Sequence, residues 1–101
     1  MLPFERLQKS NTTDNLWLYI LSLAKKRPVY AYKLQKDIKE RFGFQTGKIT
    51  PYRVLYRLEQ GGFVKSKLEQ RRRFYEITAK GKGELKKAKD FYIKIVKLMK
   101  E

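Results

Sequence analysis

The sequence predicts a mainly α-helical domain with one small β-hairpin. Three observations support this. Apolar residues recur at helical spacing in three early segments, the spacing changes to strict alternation within residues 64–77, and helical spacing then resumes to the end of the chain. The chain has 101 residues, which suits one compact domain with a single core.

The first predicted helix follows Thr12–Asp14, whose side-chain oxygens suit an N-cap. Residues 16–24 are apolar over most of the helix circumference, so we expect this helix to be central and Trp17 to lie in the core. Lys25–Arg27 suit the negative end of the helix dipole, and Pro28 ends the helix because it prevents continuation.

Two further helices are predicted, each with an apolar stripe at helical spacing. One runs from about Tyr30 to Gly43, and the other runs from Lys48 to Glu59 with Pro51 in its first turn and Thr46 or Thr50 as its cap. The predicted buried stripes are Ala31, Leu34, Ile38 and Phe42 in the second helix, and Ile49, Tyr52, Leu55 and Leu58 in the third.

Alternating side chains then predict two strands, Val64–Leu68 and Arg73–Ile77, joined by a basic turn at residues 69–72. Thr78 is suited to cap a last helix from about Ala79 to Lys100. The whole domain therefore ends on its longest helix.

The last helix carries an apolar stripe with the 3.5-residue period of a coiled-coil seam. A helix of this length should extend about 10 Å beyond a body of three short helices, so we expect the stripe to pair two copies of the chain. The alternative is that the whole stripe packs on its own domain. The predicted dimerisation residues are Leu85, Ala88, Tyr92, Ile95 and Met99.

The chain is strongly basic, with 25 Lys and Arg residues against 10 Asp and Glu and a net charge of +15. Nucleic acid is the usual partner of such a protein. The longest uncharged stretch, Asn15–Ala24, is about half the length of a bilayer-spanning helix, and charge interrupts the N-terminus too early for a secretory signal. We therefore expect a cytoplasmic protein that binds double-stranded DNA and no membrane.

Cysteine and histidine are both absent from the sequence. Disulfides, the usual zinc sites and the Ser-His and Cys-His nucleophile pairs are thereby excluded. The acidic residues show no spacing that suggests acid/base catalysis, and no glycine-rich phosphate loop follows a strand. We expect neither an enzyme nor a cofactor or metal ion.

Three helices followed by a basic two-stranded ribbon is the element order of a winged helix-turn-helix. In that arrangement the third helix enters the major groove, and the ribbon, or wing, reaches the adjacent backbone or minor groove. Residues 1–78 are therefore predicted to form a DNA-binding domain with an N-terminal extension. Residues 79–101 are predicted to form a dimerisation helix within the same compact unit.

The third helix offers candidate base contacts. Arg53 and Arg57 are four residues apart and share the outer side of the helix if its leucines face the core. Arginine suits bidentate contacts, so Arg53 is assigned to a base edge or a phosphate, and Lys48 to a phosphate. Thr50 lies near the end that projects toward base edges. The alternative is that both arginines are ordinary solvated residues.

The wing and the second helix offer candidate phosphate contacts. Arg71, Arg72 and Arg73 repel one another in an exposed turn, which favours phosphate neutralisation. Tyr32, next to Lys33, is a candidate phosphate donor, or alternatively an amphipathic side chain at the edge of the core. The lysine face of the last helix is either solvated or suited to anionic lipid, and the regular stripe beside it disfavours lipid.

The sequence from about Leu18 to Leu85 resembles the PadR family of transcriptional regulators. Ile20–Leu23 and Arg27–Leu34 are similar to the family's apolar helix, Pro, and aromatic-Tyr-x-Leu start of helix two. Thr50–Val64 resembles its recognition-helix signature, and Arg73–Gly81 resembles its second wing strand with a Thr-x-x-Gly exit.

The resemblance implies a dimeric winged-helix repressor whose C-terminal helix pairs the subunits. It matches Tyr52 and Arg57 to the family's Tyr and Arg in the recognition helix, and Tyr32 to its helix-two Tyr. Arg53 stands where the family usually has Pro, and Tyr30 replaces a common His. Many relatives carry a further long helical domain for which 101 residues leave no room, so ligand sensing is not carried over and an effector remains unknown.

We therefore predict a sequence-specific, homodimeric DNA-binding transcriptional regulator, acting as a repressor on a pseudo-palindromic operator. One alternative is a non-specific architectural or RNA-binding winged helix, which would show no preference for one duplex. Another is a protein-interaction module whose basic face meets an acidic partner. In that case, loss of the wing arginines would leave DNA affinity unchanged.

Overall fold

The computed structural model describes residues 1–100. These residues form five α-helices and a three-stranded antiparallel sheet of order β1-β3-β2, so the predicted fold class is confirmed. The elements are α1 (Pro3–Ser10), a 3-10 turn (Thr13–Asn15), α2 (Trp17–Lys26), β1 (Val29–Tyr30), α3 (Ala31–Phe42), α4 (Thr50–Gln60), β2 (Val64–Glu69), β3 (Arg72–Ile77) and α5 (Ala79–Met99).

The core forms around α2, which buries most of its circumference as its composition predicts. Each enclosed aliphatic side chain contributes about 1.5–3 kcal/mol of burial free energy. Trp17 lies at the edge of the core, where its indole Nε1 donates to Asn15 Oδ1 at 3.2 Å. The fully enclosed apolar side chains include Ile20, Leu21, Leu34, Ile38, Leu55, Val64 and Leu85.

The chain before α2 differs from the prediction. An additional helix, α1, starts at Pro3, where the Leu2 amide donates to Glu5 Oε1 at 2.9 Å. The N-cap predicted at Thr12–Asp14 is wrong, because these residues lead into a 3-10 turn and the Thr12 hydroxyl donates back to the Gln8 carbonyl at 2.6 Å. Leu16 precedes α2 without a side-chain cap.

The predicted end of α3 and start of α5 are confirmed. Gly43 ends α3 with a left-handed φ of 79°, a conformation that favours glycine. Thr78 caps α5 by accepting a hydrogen bond from the Gly81 amide at 3.1 Å. Both signals are local, so the sequence alone was sufficient to find them.

The hairpin turn is tighter than predicted. Glu69 pairs directly with Arg72, so the turn contains only Gln70 and Arg71, with φ values of 48° and 67°. Two left-handed residues in a two-residue turn match the twist of the flanking strands. The second strand therefore begins at Arg72, and the wing tip is Gln70 and Arg71.

A close joint connects the end of α4 to the start of α5. The Thr78 hydroxyl donates to the Gly62 carbonyl at 2.6 Å, and Lys80 Nζ donates to the Gly61 carbonyl at 2.7 Å. Lys80 Nζ also lies 4.8 Å from the centroid of the Phe63 ring. Gly81 passes so near that a Cβ atom on it would lie 2.2 Å from the Phe63 carbonyl oxygen.

Beyond the joint, α5 gradually leaves the body of the protein. Leu85 is in the core and Ala88 packs against it, whereas every residue from Lys89 to Lys100 is exposed. The molecule consequently measures 52 × 29 × 22 Å. Over residues 1–100, none of the helices has both the length and the apolar character needed to cross a membrane.

Candidate nucleic-acid interface

Helix α4 presents a continuous exposed surface, which we call the α4 outer face. Pro51, Leu55 and Leu58 are buried on the opposite side. Arg53 and Arg57 are exposed, as their spacing predicts. The α4 outer face consists of Ile49, Thr50, Tyr52, Arg53, Tyr56, Arg57 and Gln60.

The predicted buried stripe of this helix is wrong at two positions. Ile49 is 62% exposed and Tyr52 is 50% exposed. The reason is that α4 begins at Thr50, so Ile49 is its N-cap residue and Pro51 turns inward in place of Tyr52. Tyr52 therefore joins the outer face, consistent with the role that the family resemblance implied.

The predicted cap of α4 is also wrong, since neither threonine supplies a capping hydrogen bond. Thr46 is buried, and its hydroxyl donates to the Gly47 carbonyl at 2.9 Å. Its own carbonyl accepts from Gln35 Nε2 at 2.7 Å, which ties the α3–α4 connection to α3. Thr50 and Lys48 remain exposed at the N-terminal end of α4.

Tyr56 was not predicted as a site residue. It is 62% exposed between the two arginines on the α4 outer face, and its hydroxyl accepts a hydrogen bond from Gln60 Nε2 at 3.1 Å. A helical projection of the sequence from the correct first residue, Thr50, places it there. The predicted stripe placed Tyr52 in the core, so the exposed face that Tyr52 and Tyr56 share was not recognised from the sequence.

The three wing arginines lie in three different environments. Arg71 is exposed at the tip. Arg72 Nη1 donates to the Tyr32 hydroxyl at 3.3 Å, and its guanidinium lies 5.8 Å from the centre of the Tyr32 ring. Arg73 Nη1 donates to Ser66 Oγ at 2.8 Å. The arginines therefore differ in how freely they can reach a partner.

An aromatic cluster supports the root of the wing. The ring of Tyr30 lies 5.8 Å from that of Tyr32 and 6.2 Å from that of Phe74, centroid to centroid. Tyr32 thus connects the start of α3 to β3 while remaining 57% exposed, and Lys33 beside it is also exposed. The structure brings Tyr32 and Arg72 together, which the sequence did not predict.

Charge on the two strands of the wing, β2 and β3, is partly paired. Lys67 Nζ lies 2.9 Å from Glu76 Oε1 across the two strands. The hydrogen bond from Lys67 lowers the pKa of Glu76 from its ordinary value. Lys65 and Arg71 are exposed cations of the same hairpin.

The predicted dimerisation stripe divides into two parts. Leu85 is 1% exposed in the core of its own domain and has no surface for a partner, so its assignment to the dimer is corrected. Ala88 packs partly against the same core. Tyr92, Ile95 and Met99 are exposed, and the Tyr92 hydroxyl donates to Asn11 Oδ1 at 2.7 Å. Further exposed apolar side chains on the same segment of α5 are Phe91, Ile93, Val96 and Leu98.

Comparisons with known proteins agree with this architecture. A sequence model described as the transcriptional regulator PadR-like family matches residues 20–87. A PadR family transcription regulator from Clostridium difficile is 29% identical, with a TM-score of 0.75 over 82% of this chain and 92% of that chain. A transcriptional regulator from Clostridium thermocellum is 27% identical, with a TM-score of 0.75 over 83% and 88% of the two chains.

A third similar structure is Bacillus subtilis PadR in complex with operator DNA. It is 25% identical, with a TM-score of 0.66, and the match covers 71% of this chain and 45% of that chain. No curated protein matches the sequence.

Fold and site together define a winged-helix transcription regulator. The family match covers more than half of the chain, and the protein belongs to the transcriptional regulator PadR-like family. The resemblance found in the sequence is thereby confirmed. Membership also places the protein among regulators and not among enzymes.

Proposed function

We propose that the protein is a sequence-specific transcriptional repressor that binds a pseudo-palindromic DNA operator as a homodimer. The observation that carries this proposal is the α4 outer face, where Arg53 and Arg57 are exposed beside Tyr52 and Tyr56. Arginine can contact guanine O6 and N7 with two hydrogen bonds, which distinguishes guanine from the other bases. In this proposal α4 lies in the major groove.

Five further candidate residues position α4 on the duplex. Lys48 and Thr50 lie at the N-terminal end of α4, the end that approaches base edges in helix-turn-helix proteins. Arg71 at the wing tip reaches the adjacent backbone or minor groove, and Tyr32 with Lys33 adds phosphate contacts at the start of α3. The complex of the similar Bacillus subtilis PadR with operator DNA supports DNA as the partner.

The exposed end of α5 supports the homodimer. Tyr92, Ile95 and Met99 form an apolar surface on a helix segment that leaves its own core. Contiguous apolar surface of this kind is covered by a partner in most proteins, and a second copy supplies the same stripe. A two-fold dimer places two α4 helices in successive major grooves, about 34–36 Å apart. Occupation of a promoter then blocks transcription.

A competition titration tests the proposed function. The protein is bound to a duplex selected from a random pool, and unlabelled duplex of arbitrary sequence is added as competitor. A specific regulator keeps a preference of at least about 10³ for the selected duplex at physiological salt. If unlabelled duplex of arbitrary sequence displaces the protein as well as unlabelled selected duplex does, a non-specific architectural protein is favoured.

Arg71→Ala is expected to weaken binding to all duplexes to a similar extent. The side chain is assigned to a phosphate, so its loss should reduce the slope of log affinity against log salt by about 1. Arg41→Ala, an equal charge change on α3, is the matched control and should leave the slope unchanged. An unchanged slope in Arg71→Ala would favour the protein-interaction alternative.

Ile95→Asp is expected to convert the dimer to a monomer, because it places a charge within the apolar surface of α5. Light scattering of the purified protein measures the mass. Lys97→Asp, on the opposite side of the same helix, should leave the dimer intact. A dimer in both variants would place the interface elsewhere. Leu85 does not serve for this test because it is in the core.

A further inference from the structure

Glu59 is the only acidic residue of α4, and it lies on a helix whose proposed ligand is a polyanion. A carboxylate near phosphates opposes binding, so its presence requires a structural reason. The structure supplies one. Glu59 Oε2 accepts a hydrogen bond from the Ser66 amide at 3.2 Å and a second from the Ser66 hydroxyl.

The contact extends into the wing. Arg73 Nη1 donates to the same Ser66 hydroxyl, so the bonds run from Arg73 on β3 through Ser66 on β2 to Glu59 on α4. Tyr75, directly opposite Ser66 in the strand register, borders this cluster. Burial raises the pKa of Tyr75, and the nearby Glu59 carboxylate raises it further, so the phenol is neutral beside the carboxylate.

The position of Ser66 on β2 determines where the wing tip lies. Gln70 at the tip is four residues further along the hairpin, which corresponds to about 13 Å at the rise of a β-strand. A rotation of about 10° at Ser66 would therefore shift the tip by about 2 Å, enough to break a phosphate hydrogen bond. Strand β1 flanks β3 on its other side but has only two residues. It pairs with β3 at Phe74 and Tyr75 and does not reach the rest of β3 toward the wing tip.

We propose that Glu59 is a positioning residue that fixes the wing against α4 and thereby contributes to sequence specificity without contacting DNA. This proposal rests on the proposed function. While Glu59 accepts the hydrogen bonds from Ser66, Arg71 meets the DNA backbone at one fixed distance from the bases that Arg53 and Arg57 contact. When these hydrogen bonds are lost, the positive charge of the wing still attracts any duplex. The wing tip then no longer has a fixed position relative to α4.

The experiment compares Glu59→Gln with the wild type on the selected duplex and on random duplex. Removal of a negative charge that only repels phosphate would strengthen binding to both duplexes. Replacement of the charged acceptor by a neutral one weakens a positioning contact, and should instead weaken binding to the selected duplex about tenfold, while binding to random duplex is unchanged or stronger. Glu40→Gln, the same charge change on α3, is the control and should not alter the ratio.

Ser66→Ala provides a second variant with no change in charge. It removes the hydroxyl that joins Arg73 to Glu59 but keeps the backbone amide, so a smaller loss of specificity in the same direction is expected. A ratio that stays at the wild-type value in both variants would overturn the positioning role. Equal strengthening on both duplexes in Glu59→Gln would overturn it too.

Amide hydrogen exchange of Ser66 separates failure of this proposal from failure of the proposed function. The Ser66 amide should exchange slowly in the free wild type and faster in Glu59→Ala, which leaves no side-chain oxygen to accept its hydrogen bond, whatever the protein binds. A wild type without preference for the selected duplex would overturn the proposed function, and the specificity role with it. A wild type with that preference, but with equal Ser66 exchange in the wild type and in Glu59→Ala, would overturn only the positioning role of Glu59.

Discussion

Gly81→Ala is expected to destabilise the protein by about 3 kcal/mol or more, a large part of the stability of a domain of this size. The added Cβ would lie 2.2 Å from the Phe63 carbonyl oxygen and 2.8 Å from Ile77 Cγ1. The backbone at Phe63 cannot move away from the added Cβ unless the end of α4 separates from the start of α5. Urea or thermal unfolding measures the effect.

The matched control is Gly83→Ala, two residues further along the same helix. A Cβ at Gly83 would have no atom within 4 Å, and alanine is about 1 kcal/mol more favourable than glycine in a helix. We therefore expect Gly83→Ala to stabilise the protein and Gly81→Ala to destabilise it. The same sign for both substitutions would contradict the close approach at Gly81.

Arg57→Ala and Arg53→Ala are each expected to reduce affinity for the selected duplex about 10- to 100-fold, the size of one bidentate arginine contact. Both side chains are exposed on α4, so neither substitution should change the free energy of unfolding by more than about 0.5 kcal/mol. Fluorescence anisotropy with labelled duplex measures the affinity.

The pattern across duplexes assigns the role of each arginine. An arginine at a base edge relaxes specificity at one position of the operator, whereas an arginine at a phosphate weakens all duplexes to a similar extent and lowers the salt slope. Arg41→Ala again controls for the loss of one positive charge. Wild-type affinity in both Arg53→Ala and Arg57→Ala would exclude the α4 outer face as the DNA-binding surface.

Elements with a strong local signal could be predicted from the sequence. Gly43 ends α3 and Thr78 caps α5, because each signal needs only a few neighbouring residues. The exposure of Arg53 and Arg57 followed from helical spacing alone. The sequence predicted a longer turn, residues 69–72, in place of the observed two-residue turn at Gln70 and Arg71. Neither of these two residues is among those that usually signal a two-residue turn.

Features that depend on distant partners could not be predicted. Strand β1 has two residues and exists only because it pairs with β3, more than 40 residues away. The seam period of α5 included Leu85, although the structure buries it, because periodicity gives the direction of a side chain and not the neighbour that covers it. The same limit concealed the contact of Arg72 with Tyr32 and that of Glu59 with Ser66.

The most direct measurement is the selection of bound duplexes from a random pool by the wild-type protein, followed by sequencing. Binding by a two-fold dimer through α4 predicts two inverted half-sites whose centres are about 10–10.5 base pairs apart, or a multiple of this distance. A bound pool without any consensus, or with one half-site that never occurs as an inverted pair, would contradict a dimer that places two α4 helices on one duplex.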